Sequence, residues 1–315
     1  IFISQKHDKL TRNMPVRSLT PILAEKAKNE LFEDPNRLEA DLQHMKDWIS
    51  KQPHLNACTD DQWLVAFLRG CKFSLERTKE KIDIYYSLRT TAPELCRLKH
   101  TDPVFEEILD KGCTAAPDAP RVMIFRLGVI DPSKYHITDV MQMSGILQKI
   151  TLLDDDNAIV AGTINVMDLE GVTMGHFLQM TPSLMKKMVV ASQDAIPIRM
   201  KGSHYLNTPP GFETIFNAIK GLLNEKNRSR LFVHNKDMEA LYKHVPREIL
   251  PKEYGGDGGS TEEMLGYWKN KVKEYSAFLE EEYKNGTDES KRPGNPRTAE
   301  SMFGVEGSFR QLDFD

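Results

Sequence analysis

No CxxC pair, no HExxH and no other metal-ligand spacing occurs in this sequence, although it holds four cysteines and nine histidines. It therefore offers no recognisable ligand set for a structural or catalytic metal. Cys58, Cys71, Cys96 and Cys113 stand far apart, and no secretory pattern of charged start, apolar run and small-residue cleavage site opens the chain, so a reducing cytosol is the expected compartment. GxSxG, GxxxxGK[ST] and GxGxxG are all missing, which removes the serine-hydrolase elbow, the phosphate-cradling loop and the dinucleotide fingerprint. The glycine-rich stretch EYGGDGGS lacks the Lys-Ser/Thr that phosphate binding needs and reads as a loop. No apolar run approaches the roughly 18 residues of a membrane span, so any membrane contact is expected to be peripheral. A surplus of positive charge is missing too: the formal net charge is -4, against a nucleic-acid partner.

What is present is enough apolar material for a large core, 40% of 315 residues, with no internal repeat. Met14 is a candidate start, and residues 1–20 read as a tail. Leu38, Leu42, Met45, Trp48 and Ile49 recur at helical spacing until Pro53 stops them. Thr59 with Gln62 predicts a capping box opening a second helix, with Trp63, Leu64, Phe67 and Leu68 on its apolar face. Ser74 opens a third, carrying Leu75, Ile82, Tyr85 and Leu88. Residues 21–100 thus read as an all-helical module.

From residue 101 to 260 the pattern changes. The runs RVMIFRL, AIVAGTINVMDL, KGSHYLN and RLFVH read as strands, separated by helices near 138–153, 175–193, 209–224 and 237–244. Such alternation implies crossover helices and therefore a mainly parallel sheet, an α/β fold class. Thr181-Pro182 suits a helix start. A last helix is expected over 261–285, anchored by Met264, Leu265, Tyr267, Trp268, Val272 and Phe278. The remaining 286–315 form a polar tail, and the breaker-rich stretch KNGTDESKRPGNPRTAES predicts mobility.

Asp168 and Glu170 end a predicted strand, where α/β folds often place active residues; two acids at this spacing equally cap a turn. His176, His204 and His234 fall near strand or loop ends, the usual place of structural histidines. The stretch from Ile196 to His234 is more distinctive. Phe212, Ile215, Phe216, Ile219 and Leu222 form an amphipathic helix face, while Arg199, Lys201, Lys220, Lys226, Arg228 and Arg230 face only Glu213 and Glu225 as acids. Such a helix suits either a membrane interface or a core-packed position with a solvated basic face. Met141, Met143, Met174, Met180, Met185 and Met188 add side chains that mould around an irregular apolar ligand or fill a core.

In order, AFLRGCKFSLERT, VIDPSKY, INVMDLEGVTMGHFLQMTP, the whole of 196–234 and ILPKEYGG resemble the CRAL-TRIO or Sec14-like family, over about residues 30–285. The branch most similar in look holds the α-tocopherol transfer and cellular retinaldehyde-binding proteins, and the ending GVEGSFRQLDFD resembles arthropod members. The resemblance implies a helical module followed by an α/β lipid-binding domain closed by a helical gate, here roughly 207–223. It carries the pocket onto Met141, Ser144, Gln148, Val172, Met174, Leu178, Met188, Ile198, Phe212 and Ile215, and the gate face onto Phe212, Ile215, Phe216, Ile219 and Leu222. Phosphoinositide headgroups would meet Arg199, Lys201, Lys226 and Arg230. Val172 and Met174 stand where the tocopherol protein has tryptophan and phenylalanine, so tocopherol itself does not follow. Cys71 stands where the family places a further basic residue, with Lys72 next to it.

The function so implied is that of an intracellular carrier of one small hydrophobic molecule, a tocopherol, retinoid, carotenoid or related isoprenoid. It would deliver its cargo at phosphoinositide-bearing membranes through reversible peripheral association, with no enzyme activity and no cofactor. A Sec14-like exchanger of phosphatidylinositol and phosphatidylcholine, or a lipid-sensing regulatory scaffold, are the alternatives the same resemblance allows.

Overall fold

The computed structural model describes residues 15–109, 111–114 and 116–304; Met14 and the ending from residue 305 lie outside the described residues. The first helices are α1 (Pro21–Leu31), α2 (Leu38–Ser50), α3 (Asp61–Gly70), α4 (Leu75–Thr91) and α5 (Pro103–Ile108), with a two-residue strand β1 (Leu55–Asn56) before α3. The cap of α3 is Asp60 rather than Thr59: standing one residue nearer the helix, its carboxylate accepts from both orphan donors Gln62 N and Trp63 N. Every residue from Gln62 to Arg69 is buried, so α3 is the hub of the module rather than a surface helix. Arg69 can sit there because its guanidinium forms a two-pronged pair with Glu33, at 2.9 and 2.9 Å. Gly70 has no side chain for a steric reason: a Cβ would stand 2.1 Å from Pro197 O, where the module meets the rest of the molecule.

The second part is built on β2 (Lys111–Thr114), β3 (Arg121–Arg126), β4 (Thr163–Asp168), β5 (Met200–Leu206) and β6 (Leu231–Asn235), side by side in that order. β3 to β6 are parallel, as the alternation predicts; the edge strand β2, not anticipated, is antiparallel to β3. The crossovers carry α6 (Ile137–Asp154), α7 (Met174–Leu178), α8 (Pro182–Val190), α9 (Phe212–Leu222) and α10 (Glu225–Arg228), and α11 (Met238–Tyr242) follows the last strand, β6. Thr181 caps α8 as expected, accepting from Leu184 N with Pro182 in the first turn. Two expectations need correction. The apolar run from Ala158 is not strand until Thr163, because residues 157–161 continue from α6 as a π-turn. The helix expected over 175–193 breaks into α7 and α8, and α8 ends in a second π-turn at 191–195.

Val122, Ile124, Val166 and Leu206 pack one sheet face against Leu241, Val245, Leu250 and Tyr254. The inner stripe of α6, Val140, Met143, Ile146, Leu147 and Ile150, packs against α5 and against Trp268 and Val272. The expected last helix bends at Tyr275 into α12 (Thr261–Glu274) and α13 (Ser276–Glu282). Beyond it the expectation of a mobile tail is overturned for the described residues. Strand β7 (Gly286–Thr287) pairs with β1, helix α14 (Ala299–Phe303) buries Phe303, and Arg292 and Arg297 each donate to Asp83 at 2.8 Å. Although burial alone would push its pKa up, hydrogen bonds from Arg292 and His54 hold the Asp83 carboxyl below the usual range. The polar composition was therefore serving a buried charge network on α4, which composition does not distinguish from solvation.

Candidate functional site

Helix α9 has its apolar face turned inward and Glu213, Thr214, Asn217, Ala218 and Gly221 exposed, yet of its apolar residues only Phe212 is fully buried; Ile215, Phe216, Ile219 and Leu222 are half-buried. Beneath it, Tyr205 on β5 meets the rings of Phe212 and Phe216 with centroids 5.4 and 5.2 Å apart. The parallel register puts Phe125, Met167 and Tyr205 on this same sheet face, and all three are half-buried. Parallel sheets are ordinarily covered completely on both faces. Here an apolar helix face and an apolar sheet face both retain accessible surface.

The connections of α9 are built as breaks. Asn207, at φ 50°, ties its amide to Asp168 at 2.9 Å, and two prolines then lead to Gly211 at φ 85°, a left-handed N-cap that suits glycine. At the other end Arg228 donates to Lys220 O at 3.2 Å and Leu223 O at 3.0 Å, covering orphan carbonyls as a C-terminal cation does. Gln193 Oε1 accepts from both Asn224 N and Asn227 Nδ2 at 3.1 Å, holding the following turn. From the sequence Arg228 reads only as one of the six cations of this stretch, not as a cap, and Gln193 is not singled out. A cation just past a helix end is a readable capping signal; Gln193, acting across 31 residues, leaves none.

The expected pocket positions fall into groups. Val172 and Phe212 pack together with Leu169 at the start of α9. Met141, Ser144 and Gln148 form the half-buried stripe of α6 opposite its packed one, and Met188 and Ile215 are half-buried on α8 and α9. Ile198 instead packs against the core that joins the helical module to the end of α6. Met174 and Leu178 are 59% and 77% exposed, and the Met174 Sδ-methyl lies close against Gly211.

The four expected headgroup cations converge, joined by Lys72 and Arg77. Burial lowers the Lys226 pKa, and the positive charges of Arg230, Lys72, Arg199 and Arg77 lower it further. Lys201 is lowered by burial and by Arg199, and pairs with Glu30 at 3.5 Å. Among the described residues no carboxylate lies within salt-bridge distance of Arg199, Lys226, Arg230 or Lys72. Arg199 is partly committed elsewhere: it donates to the carbonyls of Ile159, at 3.4 Å, and Val160, which the π-turn leaves open, while its buried Nε has no partner. Arg230 likewise donates to Met200 O. The other π-turn is held by Lys81, which donates to Asp194 O at 2.8 Å and Gln193 O at 3.1 Å.

Asp168 and Glu170 do not form a carboxylate pair for chemistry. Asp168 is buried and saturated by Tyr254 OH at 2.8 Å, Asn207 Nδ2 at 2.9 Å and Glu170 N at 3.0 Å, whereas Glu170 is exposed; Asp168 caps the turn. His176 joins Ile130 O and Thr173 N, a structural clasp. His204 lies 2.8 Å from His234, stacked on it and on Phe232. Among the described residues no group of three or more His, Cys, Asp or Glu could hold a metal, and no helix is long and apolar enough to cross a membrane.

Residues 117–256 match the CRAL/TRIO domain and residues 34–104 the Pinta-like UBA domain. The human protein named alpha-tocopherol transfer protein-like is 34% identical over 267 residues, spanning 78% of this chain and 73% of its own. This chain belongs to the CRAL-TRIO family. Rat Clavesin-2 is a more distant relative, 27% identical over 76% of this chain and 75% of its own. Among solved structures, that of Sfh5 aligns with a TM-score of 0.45 and 14% identity over 79% of this chain and 92% of that one. Helix α9 and its two breaks span residues 207–223, the segment for which the resemblance implies a gate.

Proposed function

We propose that the protein is a non-enzymatic carrier that encloses one small apolar molecule between the sheet and helix α9 and releases it at membranes bearing phosphoinositides. The observation that carries this reading is the underfilled contact beneath α9: its strongly apolar face and the Phe125–Met167–Tyr205 surface are both half-buried. An isoprenoid such as a tocopherol, retinoid or carotenoid would fill that contact, favoured by about 25 cal/mol for each Å² of apolar surface removed from water. Ser144 and Gln148 are the polar side chains on the half-buried stripe of α6, suited to orient a hydroxyl or carbonyl, because an unpaired buried polar group costs a few kcal/mol. Pocket walls on this reading are Met141, Ser144, Gln148, Val172, Met188, Phe212 and Ile215, with exposed Met174 and Leu178 at the rim and Ile198 supporting from behind.

Lys226, Lys201, Arg230 and Lys72 would hold the headgroup, with Arg199 fixing the π-turn beside them. Each cation near an anionic surface is worth about 1 kcal/mol. Engagement of these cations, of which Lys226 and Arg230 follow the C-terminal break of α9, biases the gate to swing outward. The relatives' names support the lipid-carrier class, one of them being an alpha-tocopherol transfer protein-like protein. The test is transfer of a fluorescent isoprenoid between vesicles: acceptors containing phosphoinositide are expected to accelerate it over neutral acceptors, and the acceleration is expected to fade with salt. Transfer that ignores acceptor charge contradicts the delivery step; exchange of phospholipid but not of isoprenoid contradicts the cargo.

A further inference from the structure

Phe32 ends helix α1 in the left-handed conformation, at φ 63°, with its own N–H and that of Glu33 turned back to Ala27 O. This terminal position favours glycine or asparagine, and a bulky side chain there is a genuine outlier. Outliers of this kind are usually compensated by packing, but the Phe32 side chain is 67% exposed. The contact made by its ring is the Lys72 ammonium, 5.6 Å from the centroid. Lys72 and Phe73 are themselves left-handed, each at φ 55°, so three strained residues gather at one surface. Strain of this sort clusters where a local geometry is needed for something other than stability.

The surroundings indicate what that is. Lys72 belongs to the cation group around Lys226, and α1 carries Lys26 and Glu30 against Lys201. The body of α1 is fixed by Leu23, Ala27 and Leu31 packed on Val160 and Ala161, beside the π-turn that Arg199 holds. Glu33, next to Phe32, is locked by Arg69. An exposed aromatic ring is thus held rigidly at the edge of the positive surface; of the acids beside it, Glu30 is paired with Lys201 and Glu33 with Arg69, and Asp34 is exposed. A ring that enters the interfacial layer while neighbouring lysines meet anionic headgroups is the arrangement of a peripheral membrane anchor.

We propose that Phe32 is a membrane anchor on the helical module, inserting into the interfacial layer of the same anionic lipid surface that the Lys226 cluster contacts. The inference rests on the membrane-delivery reading above and extends its contact surface from the gate to α1. It also gives a reason for two separate elements to dock: α1 holds the module down while α9 is free to move.

The discriminating variant is Phe32→Asn, which suits a left-handed helix end. Its melting temperature is expected to equal the parent's or exceed it by about 2 °C, while partition onto phosphatidylcholine vesicles containing phosphatidylinositol bisphosphate falls about tenfold, from the lost apolar burial. The salt dependence of its binding should match the parent's, since no charge is removed. In Phe32→Trp, the emission gained over the parent should shift to the blue with vesicles and be quenched by lipids brominated on the acyl chain. Parent-like partition of Phe32→Asn, or emission in Phe32→Trp that vesicles leave unshifted and unquenched, overturns the proposal. If either occurs while Lys226→Ala/Arg230→Ala still loses binding, the delivery reading stands and the anchor alone fails. If the parent itself ignores these vesicles, both fall.

Discussion

The six cations between Arg199 and Arg230 divide by what each touches. Arg228 covers the end of α9 and Lys220 lies 5.8 Å from the Phe216 ring centroid, so these two serve the helix itself. Lys226 is exposed and surrounded by like charge, which leaves it available to an anion. Lys226→Ala combined with Arg230→Ala is therefore expected to weaken binding to phosphoinositide vesicles at least tenfold and to flatten its salt dependence, with bound cargo unchanged; equal sedimentation with vesicles would remove these residues from the headgroup site. A second prediction concerns the buried Arg69–Glu33 pair. Glu33→Ala leaves the guanidinium in the core with Asp156 at 3.6 Å as its remaining carboxylate, and should cost about 3 kcal/mol in urea unfolding. A loss under 1 kcal/mol would show that Asp156 replaces the partner. Residue types and spacing made the basic cluster legible in advance. The carbonyls that occupy Arg199 and Arg230 were not, because they come from segments 39 and 30 residues away whose backbone shape is set by tertiary packing.

At the scale of elements, strong periodicity and clean boundaries made α2, α6, α9 and the four parallel strands readable. The failures have physical causes. Residues 157–161 are as apolar as a strand but widen into a π-turn, since Asp155 caps Ala158 N at 3.0 Å and Gly162, at φ 92°, ends the turn. The stretch 286–303 looks solvated because its charges are numerous, yet two of them, Arg292 and Arg297, are consumed by Asp83 on α4. The candidate gate was legible in outline through the amphipathic face of α9 and the proline–glycine break before it. Phe212 is its most buried residue, at 7% exposure, and the ring packs on Leu169 and Val172. Phe212→Asp would place a carboxylate there without a partner. Amide exchange across 212–222 should accelerate at least tenfold while α3 stays protected, and cargo retention should drop; unchanged exchange and unchanged transfer kinetics would show that α9 is not the lid.

For the whole molecule, acid sensitivity follows from the stacked histidines behind the sheet. Burial, with His234 and His244 adding to it, depresses His204 to about 4 from 6.5. Between those values the unfolded chain binds more protons, so the contribution to stability is complete above about pH 6.5 and is lost as the pH falls toward 4. His204 alone predicts a loss of roughly 2 kcal/mol by pH 5, read as a lower urea midpoint than at pH 7. Glu289, held at about 2, gives up its contribution only below about pH 4.5 and does not confuse that comparison. Equal midpoints at pH 7 and pH 5 would mean that the imidazole cluster accommodates the proton.

The carrier reading itself stands or falls on occupancy. Native mass spectrometry of the protein purified from cells that make it, followed by organic extraction, weighs and identifies whatever it holds. The account predicts one small apolar molecule per chain, an isoprenoid by fragmentation, lost from Phe212→Asp. A protein that stays empty after incubation with a total lipid extract, or that holds only phospholipid, would contradict it.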